Sequence, residues 1–461
     1  VFPPTLLGAA VPAALREGWA LSASFYGRSA FAVLLAMLPR VAWAVPSFAE
    51  QTGQPCAACH VGAFGPQLRQ FGRDFKLGGY TADDGSSHFP PVAATVYGSF
   101  TRTQQPQAGG AARWFAANDN AALDQVSLYY AGLISRHVGA FAQVTYDGVA
   151  RQLQIDNLDL RYARERHILG VDTQWGLTLN NSPTVSDLWN STPVWGFPYN
   201  QSGLAPVPVA ATLIDGGLGQ QVVGFGGYAL WDRWVYTEAD IYEGLSRGFR
   251  NAVGTVPVSG VPSLANAAPY WRVALQHDWG RSYGEVGAYG IVARLAGDEA
   301  GMPGPAERIR DVAVDANWQF VFDPRWVTGD VISAHATVIG ESQDWGGSAG
   351  GYRARPQDRL TTMRVDVSYS IGATYTPTVS LFQTSGTSDP ALWGTPGGNP
   401  GSAGYIAEIA YVPFGKPKSF IGWGNLRLAL QYVGYWQFDG QSRGASANNN
   451  VYASLWLAWH F

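Results

Sequence analysis

Both cysteines of this 461-residue chain fall in one short stretch, Cys56-Ala57-Ala58-Cys59-His60. Two thiols one helical turn apart can add to the two vinyl groups of a porphyrin, and an imidazole directly after the second is placed to ligate the metal at its centre. The spacing predicts one covalently attached haem c, with Cys56 and Cys59 as tethers and His60 as axial ligand of the iron. Two other chemistries use such pairs. A redox disulfide of this spacing normally opens a helix in a βαβ unit, a pattern this chain lacks. Structural zinc needs four ligands, usually with a second Cys or His pair at similar spacing, and no further cysteine exists.

Haem c is assembled outside the cytoplasm, so an export signal is expected ahead of the motif. Arg16 and Arg28 supply positive charge, Ser29 to Leu38 form an apolar run, and Ala42-Trp43-Ala44 reads as a cleavage site. The run is too short to span a bilayer as a helix. Residues 1–44 are accordingly read as a signal peptide, 45–90 as a haem c plug segment, and 91–461 as a transmembrane β-barrel.

The barrel follows from what must hold the haem segment. The chain has 56 Gly, 18 Trp, 22 Tyr and 21 Phe, few charged residues, and no apolar stretch after the leader long enough for a membrane helix. In lipid only helices and closed barrels satisfy every backbone polar group, which leaves the barrel. A net charge of -4 argues against a nucleic-acid partner. From about residue 92 onward, polar and apolar residues alternate with period two, broken by Gly, Pro, Asn and Asp. Asp311, Ala313, Asp315, Asn317 and Gln319 share one face, opposite Val312, Val314, Ala316, Trp318 and Phe320. Arg364, Asp366, Ser368 and Ser370 likewise oppose Met363, Val365, Val367, Tyr369 and Ile371.

Sixteen such segments begin near residues 93, 122, 137, 154, 168, 219, 233, 269, 283, 308, 326, 360, 374, 404, 425 and 449. Connections after even segments are mostly short and those after odd segments mostly long, the asymmetry of an outer-membrane barrel. The last segment places Val451, Ala453, Leu455, Leu457, Trp459 and Phe461 on one face, as an outward-facing terminal strand requires. The predicted fold is mainly β: a 16-stranded antiparallel outer-membrane β-barrel with a small N-terminal c-type haem plug. Tryptophans near strand ends, such as Trp231, Trp234, Trp271 and Trp326, suit the interfacial girdles.

With an even strand count both ends of the barrel lie on the short-turn, periplasmic side, where the haem segment must enter. About forty-five residues cannot bury a macrocycle on their own, so the segment is expected to plug the mouth or lumen and borrow the inner wall. No methionine lies between Met37 and Met302, which removes the usual local second axial ligand. His88 is the first candidate for distal ligand, with Met302, lumen-facing His137 or His460, or a five-coordinate or water-ligated iron as alternatives. Met363 should face lipid. Arg73 and Lys76 are candidates to pair with haem propionates or, equally, with the lumen wall. Inward carboxylates Glu238, Asp240, Asp311 and Asp315 could attract a cation. Residues 180–200 of the third outer connection can fold inward on Trp189, Trp195, Phe197 and Tyr199, with Asp187 as the metal-facing candidate, or can form an ordered surface loop.

The stretch from Val45 to Tyr80 resembles the fused outer-membrane monohaem cytochrome c-porins associated with bacterial ferrous iron oxidation. The resemblance is carried by Pro46, Phe48, Gln51-Thr52-Gly53, the haem motif, Pro66, Leu68, Phe71-Gly72-Arg73 and Phe75-Lys76. Glu50 stands where the pattern has arginine, and Val61 to Gly65 lengthens the spacing before Pro66. The resemblance implies an oxidoreductase that takes one electron from an extracellular donor, Fe(II), and passes it through haem c to a periplasmic cytochrome c or cupredoxin. Two alternatives stay open: a porin or transporter whose haem plug gates or senses, and a conduit for another donor.

Overall fold

The computed structural model describes residues 47–85, 90–246, 248–249, 263–296, 307–346, 353–421 and 424–460. The signal peptide read at residues 1–44, His88, Met302 and Phe461 lie outside them. Among the described residues, sixteen antiparallel strands form a closed barrel in which each strand pairs with its sequence neighbours and β1 (Val92–Thr103) pairs with β16 (Asn450–His460). Every expected strand is present, with its start displaced by five residues at most: β11 spans Val331–Asp344 rather than starting near 326. The cause is local, because Asp323, Pro324 and Gly329 occupy the turn before it and proline has no N–H for the ladder.

The alternation sets which side each residue faces. In β10 (Glu307–Val321), Asp311, Asp315 and Gln319 are buried, while Val312, Val314 and Trp318 are 48%, 54% and 41% exposed. In β12 (Gln357–Ser370), Asp366, Ser368 and Ser370 are buried and Met363 and Val367 exposed. Leu455 and Leu457 of β16 and Leu428 and Leu430 of β15 (Gly424–Gln437) extend the same apolar exterior. Such a surface far exceeds the apolar patches that water-soluble proteins tolerate, and a polar interior behind it is the arrangement by which strands cross a bilayer.

At one end the strands are joined by short turns, except that 322–330 and 412–423 are longer; at the other, 181–221 is the longest connection described throughout. Residues 47–85 sit inside the barrel at the short-turn end as three short helices: α1 (Ser47–Thr52), α2 (Cys56–Cys59) and α3 (Gln70–Leu77). They touch the wall all round. Ser47 Oγ donates to Ala131 O, Gln51 Oε1 accepts from Leu133 N, Asn425 Nδ2 donates to Ala63 O, and Tyr228 OH donates to Leu77 O. Phe48 forms the plug's own apolar centre, with ring centroids 5.0 Å from Phe75 and 5.2 Å from Tyr80, and reaches Phe141 of β3 (Val138–Asp147) at 6.3 Å.

Gly139 of β3 shows how close the plug approaches: a Cβ there would lie 2.3 Å from Gly79 O and 3.0 Å from Tyr80 Cβ. Backbone cannot yield to that, so the overpacking cost falls on plug docking, at about 1–3 kcal/mol. The expected outcome for Gly139→Val is a barrel that keeps its heat-modifiable mobility in gels but loses protease protection of residues 47–85; unchanged protection would contradict the docking.

Candidate functional site

Cys56 to Cys59 stand on a single helical turn that His60 ends. Pro55 precedes it in extended conformation, His60 N donates to Cys56 O at 2.8 Å, and His60 then leaves the helix at φ -110°, ψ 139°. The chain reverses and returns beside itself: Val61 N donates to Gln67 O at 3.0 Å, Arg69 N to Cys59 O at 2.8 Å, and His60 bridges Leu68. Helix α3 then crosses the motif with Gly72 against Cys59, where a Cβ would sit 2.5 Å from Cys59 O. That contact explains the glycine of Phe71-Gly72-Arg73.

The barrel supports the turn from outside. Ala57 N donates to Gly415 O at 3.0 Å in the 412–423 connection, and Cys56, Ala57 and Ala63 pack with Ala373 and Val412. The Val61–Ala63 turn puts Gly62, at φ 71°, against Thr376, and sends Phe64 to Trp456 with ring centroids 5.0 Å apart. Glu50, in the position where arginine was expected, pairs with His460 Nδ1 at 3.1 Å and ties α1 to the closing strand.

The donors suit a haem held by two thioethers and one imidazole. Cys56 and Cys59 are not joined to each other, and burial pushes their thiols up to about 11 and about 12, the second helped by Cys56 beside it. They are thus neutral thiols, unlike the activated thiolates of redox sites. Burial pushes His60 down to about 4, and its Nδ1 has no hydrogen-bond partner. A neutral imidazole with an unshared ring nitrogen is the form that ligates metal. Among the described residues no cluster of three or more His, Cys, Asp or Glu is placed to hold a metal ion directly.

The two basic candidates are occupied by protein. Arg73 Nη1 donates to Leu68 O at 3.0 Å and Gln319 Oε1 at 2.8 Å, Nη2 donates to Gln70, and the guanidinium lies 3.9 Å over the Trp189 ring. Lys76 Nζ donates to Val185 O, Asp187 O and Asn190 Oδ1 at 2.7, 2.6 and 2.6 Å, which uses all its protons. Burial, with Arg161 nearby, pushes Lys76 down to about 7. Of the two roles foreseen for this pair, the structure displays contact with the lumen wall for Arg73 and with the inward loop for Lys76.

Segment 181–221 does fold into the barrel and meets the plug. Trp189 and Phe197 are 2% exposed, Asn190 Nδ2 donates to Pro66 O at 2.8 Å, and Tyr199 OH donates to Gln67 Oε1 at 3.2 Å. The expectation that Asp187 faces a metal is corrected. Its Oδ1 accepts from Trp189 N, and its Oδ2 from Ser191 N, Thr192 N and the Thr192 hydroxyl, all within 3.1 Å. Burial disfavours its charge, but Arg272 at 3.6 Å and Lys76 hold the carboxyl below its ordinary range.

The other inward carboxylates are buried as expected and are likewise engaged. Asp315 takes Arg272, Asp311 Oδ2 accepts from Ile214 N at 2.7 Å, and Glu238 accepts from Tyr236 OH at 2.9 Å. His137 is corrected as a lumen residue: it packs on Tyr162, which alternates with the buried, inward Arg161 and Ala163, and so lies outside the rim. Sequence reasoning missed His335, which is buried in the lumen wall between Gln67 and Asp366. Alternation along β11 turns it inward with Val331 and Ser333, and that signal was present in the sequence.

Two outcomes follow. Lys76→Met strands three buried acceptors, at a cost of about 3 kcal/mol, and should free the 181–221 segment. Single-channel conductance in planar bilayers is expected to rise several-fold; an unchanged trace would contradict the tie. For haem-free protein the sign for His60 is set by its depressed value: the undocked segment takes a proton as pH falls below 6.5, and the docked one only near 4. Docking should weaken progressively between those values and change no further below them, read by protease protection of residues 47–85.

No family model matches the chain, and no curated protein matches it. Among solved structures it is similar to the outer membrane channel DcaP of Acinetobacter baumannii, at 14% identity and TM-score 0.45, covering 80% of this chain and 96% of that one. It is also similar to OprB of Pseudomonas putida, at 11% identity and TM-score 0.42 over 80% and 93% of the two chains. The anion-selective porin from Comamonas acidovorans follows at 10% identity and TM-score 0.41 over 80% and 98%.

Proposed function

We propose that this chain is an outer-membrane monohaem cytochrome-porin. It takes one electron from an extracellular donor, Fe(II), and passes it through haem c to a periplasmic cytochrome c or cupredoxin. The observation that carries this reading is the position of the haem motif: a turn bearing two neutral thiols and a neutral imidazole, wedged in the short-turn mouth and buttressed by Gly415 and Ala373. Haem c, when bound, supplies a one-electron ferric/ferrous couple. The protein's share is positional. Cys56 and Cys59 tether, His60 ligates, Gly72 lets α3 cover the motif, and the Glu50–His460 pair and Gly415 hold the turn at the periplasmic rim.

Ferrous iron suits an outer-membrane acceptor, because its oxidation leaves an insoluble ferric product that is harmless only outside the cell. The resemblance of residues 45–80 to the iron-oxidising cytochrome-porins supports the same donor. A solute channel is the second reading, favoured by a cavity of about 340 Å³ lined by Pro193, Pro198, Pro206, Arg364, Phe382 and Tyr435. Between that space and the plug run the Lys76 bonds to residues 185–190, which would have to part for solute to pass.

The test uses protein made with haem maturation in outer-membrane vesicles. Peroxidase staining of denaturing gels should show haem bound to the polypeptide, weaker in Cys56→Ala or Cys59→Ala and lost in the double variant. Fe(II) added outside should reduce the haem, followed by its absorbance; no reduction at any pH from acid to neutral sinks the iron reading. Rapid sugar flux through the same vesicles would favour the channel.

A further inference from the structure

The inner wall is apolar where the inward segment packs on it. Tyr242, Tyr270, Tyr289 and Ile291 meet Leu213, Ile214 and Leu218 in one such place. A second lies on β13 (Tyr375–Gly386), β14 (Ser402–Tyr411) and β15, where Ile406, Val433 and Tyr435 pack with Phe197 and with the half-buried Phe382. This second stretch is only partly covered, because Phe382, Ile406, Val433 and Tyr435 also line the cavity of about 340 Å³. The opposite side of that cavity is the inward segment, with Pro193, Pro198 and Pro206, whose rings fix the backbone φ. A volume of this size lies at the lower end of small-molecule pockets, roughly 300–1,000 Å³, and apolar walls with a few polar groups are their usual lining.

Two charged residues line it, Arg364 of β12 and Asp215 of the 213–217 turn. Arg364 differs from the other arginines of the inner wall. Arg161 lies on Asp159, Arg272 on Glu285 and Asp315, and Arg427 on Glu408. Among the described residues Arg364 has no carboxylate within ion-pair distance. Its direct cross-strand neighbours are Thr337 and Phe382, and Asp366, two residues along the same face, is held by His335. Arg364 Nη1 donates to Phe197 O at 3.1 Å, which engages one N–H of a group built to grip a carboxylate through two. Beside it the Phe382 ring stands edge to face with Tyr435, centroids 5.6 Å apart. Cation and ring thus sit on adjacent strands, about 4.8 Å apart.

We propose that this cavity is a binding site for a small organic monoanion: a carboxylate that pairs with Arg364, carried on an apolar body that packs against Phe382, Ile406, Val433 and Tyr435. The adjacency of Arg364 and Phe382 selects acids whose carboxylate lies within a bond or two of a ring or short hydrocarbon chain. Asp215 on the same lining repels a second negative group, which disfavours dianions. The site is separate from residues 56–60 and needs no haem. It deepens the channel reading of the same space and rests on that reading only for passage, since a ligand can bind here whether or not it then crosses.

Three probes with the same ring and chain length separate charge from packing: phenylacetate, 2-phenylethanol and phenethylamine. Isothermal titration calorimetry of the full-length protein in detergent, with protein-free micelles as blank, should show phenylacetate binding more tightly than the neutral alcohol and the cationic amine. Arg364→Gln should weaken phenylacetate about tenfold or more, the size of one hydrogen bond to a charged group, and leave the alcohol unchanged. Thr337→Asp covers the case in which that variant fails to fold. It keeps the arginine and its bond to Phe197 but sets a carboxylate directly across from Arg364, and should abolish the preference for phenylacetate in the same way. Equal binding of the three probes, a preference for the amine, or phenylacetate binding that survives both variants overturns the proposal. Sugar flux through vesicles without phenylacetate binding overturns the site and leaves the channel reading standing, whereas binding without flux supports the site and counts against passage alone.

Discussion

Eleven residue pairs join β1 to β16, from Ala93 opposite His460 to Thr103 opposite Asn450, and they turn a sheet into a lumen. Without that closure the edge strands would carry unpaired N–H and C=O groups into hydrocarbon, where each costs several kcal/mol. Closure also creates two chemically opposite surfaces from one alternating pattern: apolar residues toward lipid and polar ones toward an enclosed interior. The plug depends on it directly, because its partners at Ala131, Gly415, Asn425 and Gln319 are spread around the ring and come together only when the ring exists.

The interior is filled by charge that is paired in place. Arg161 lies on Asp159, Arg272 among Asp187, Glu285 and Asp315, and Arg427 on Glu408, all with little or no exposure. Buried pairs of this kind add little net stability over apolar packing, but removing one member leaves an uncompensated charge. Their value here is specificity of position. Lys76 fits three oxygens of the inward segment, and Tyr80 OH reaches Asp159 at 2.6 Å, so the plug has one seat rather than several.

Much of this was legible in the residues. Period-two alternation located the strands because a half-buried strand must obey it wherever lipid and lumen face each other. Boundaries slipped where turn chemistry competes with strand pattern, as at Phe322 to Asp330. The inward fold of 181–221 was readable from its aromatics, yet the role of Asp187 was not. A lone carboxylate in a loop looks the same whether it waits for a cation or caps the backbone of Ser191 and Thr192.

By itself the sequence determined the number of strands, the alternation of polar and apolar faces along them, and the grouping of both cysteines with His60 in one short N-terminal segment. These are local properties, set by spacing and by alternation along one chain. Only the tertiary structure decided which wall residues meet the motif: Gln67 touches His335 across 268 positions, and Ala63 touches Asn425 across 362. Alternation assigns a side chain to the lumen but says nothing of its height or its angle around the ring. Those are set by strand register and closure, and they put His335, paired with Asp366 across the strands, against Gln67 beside the motif.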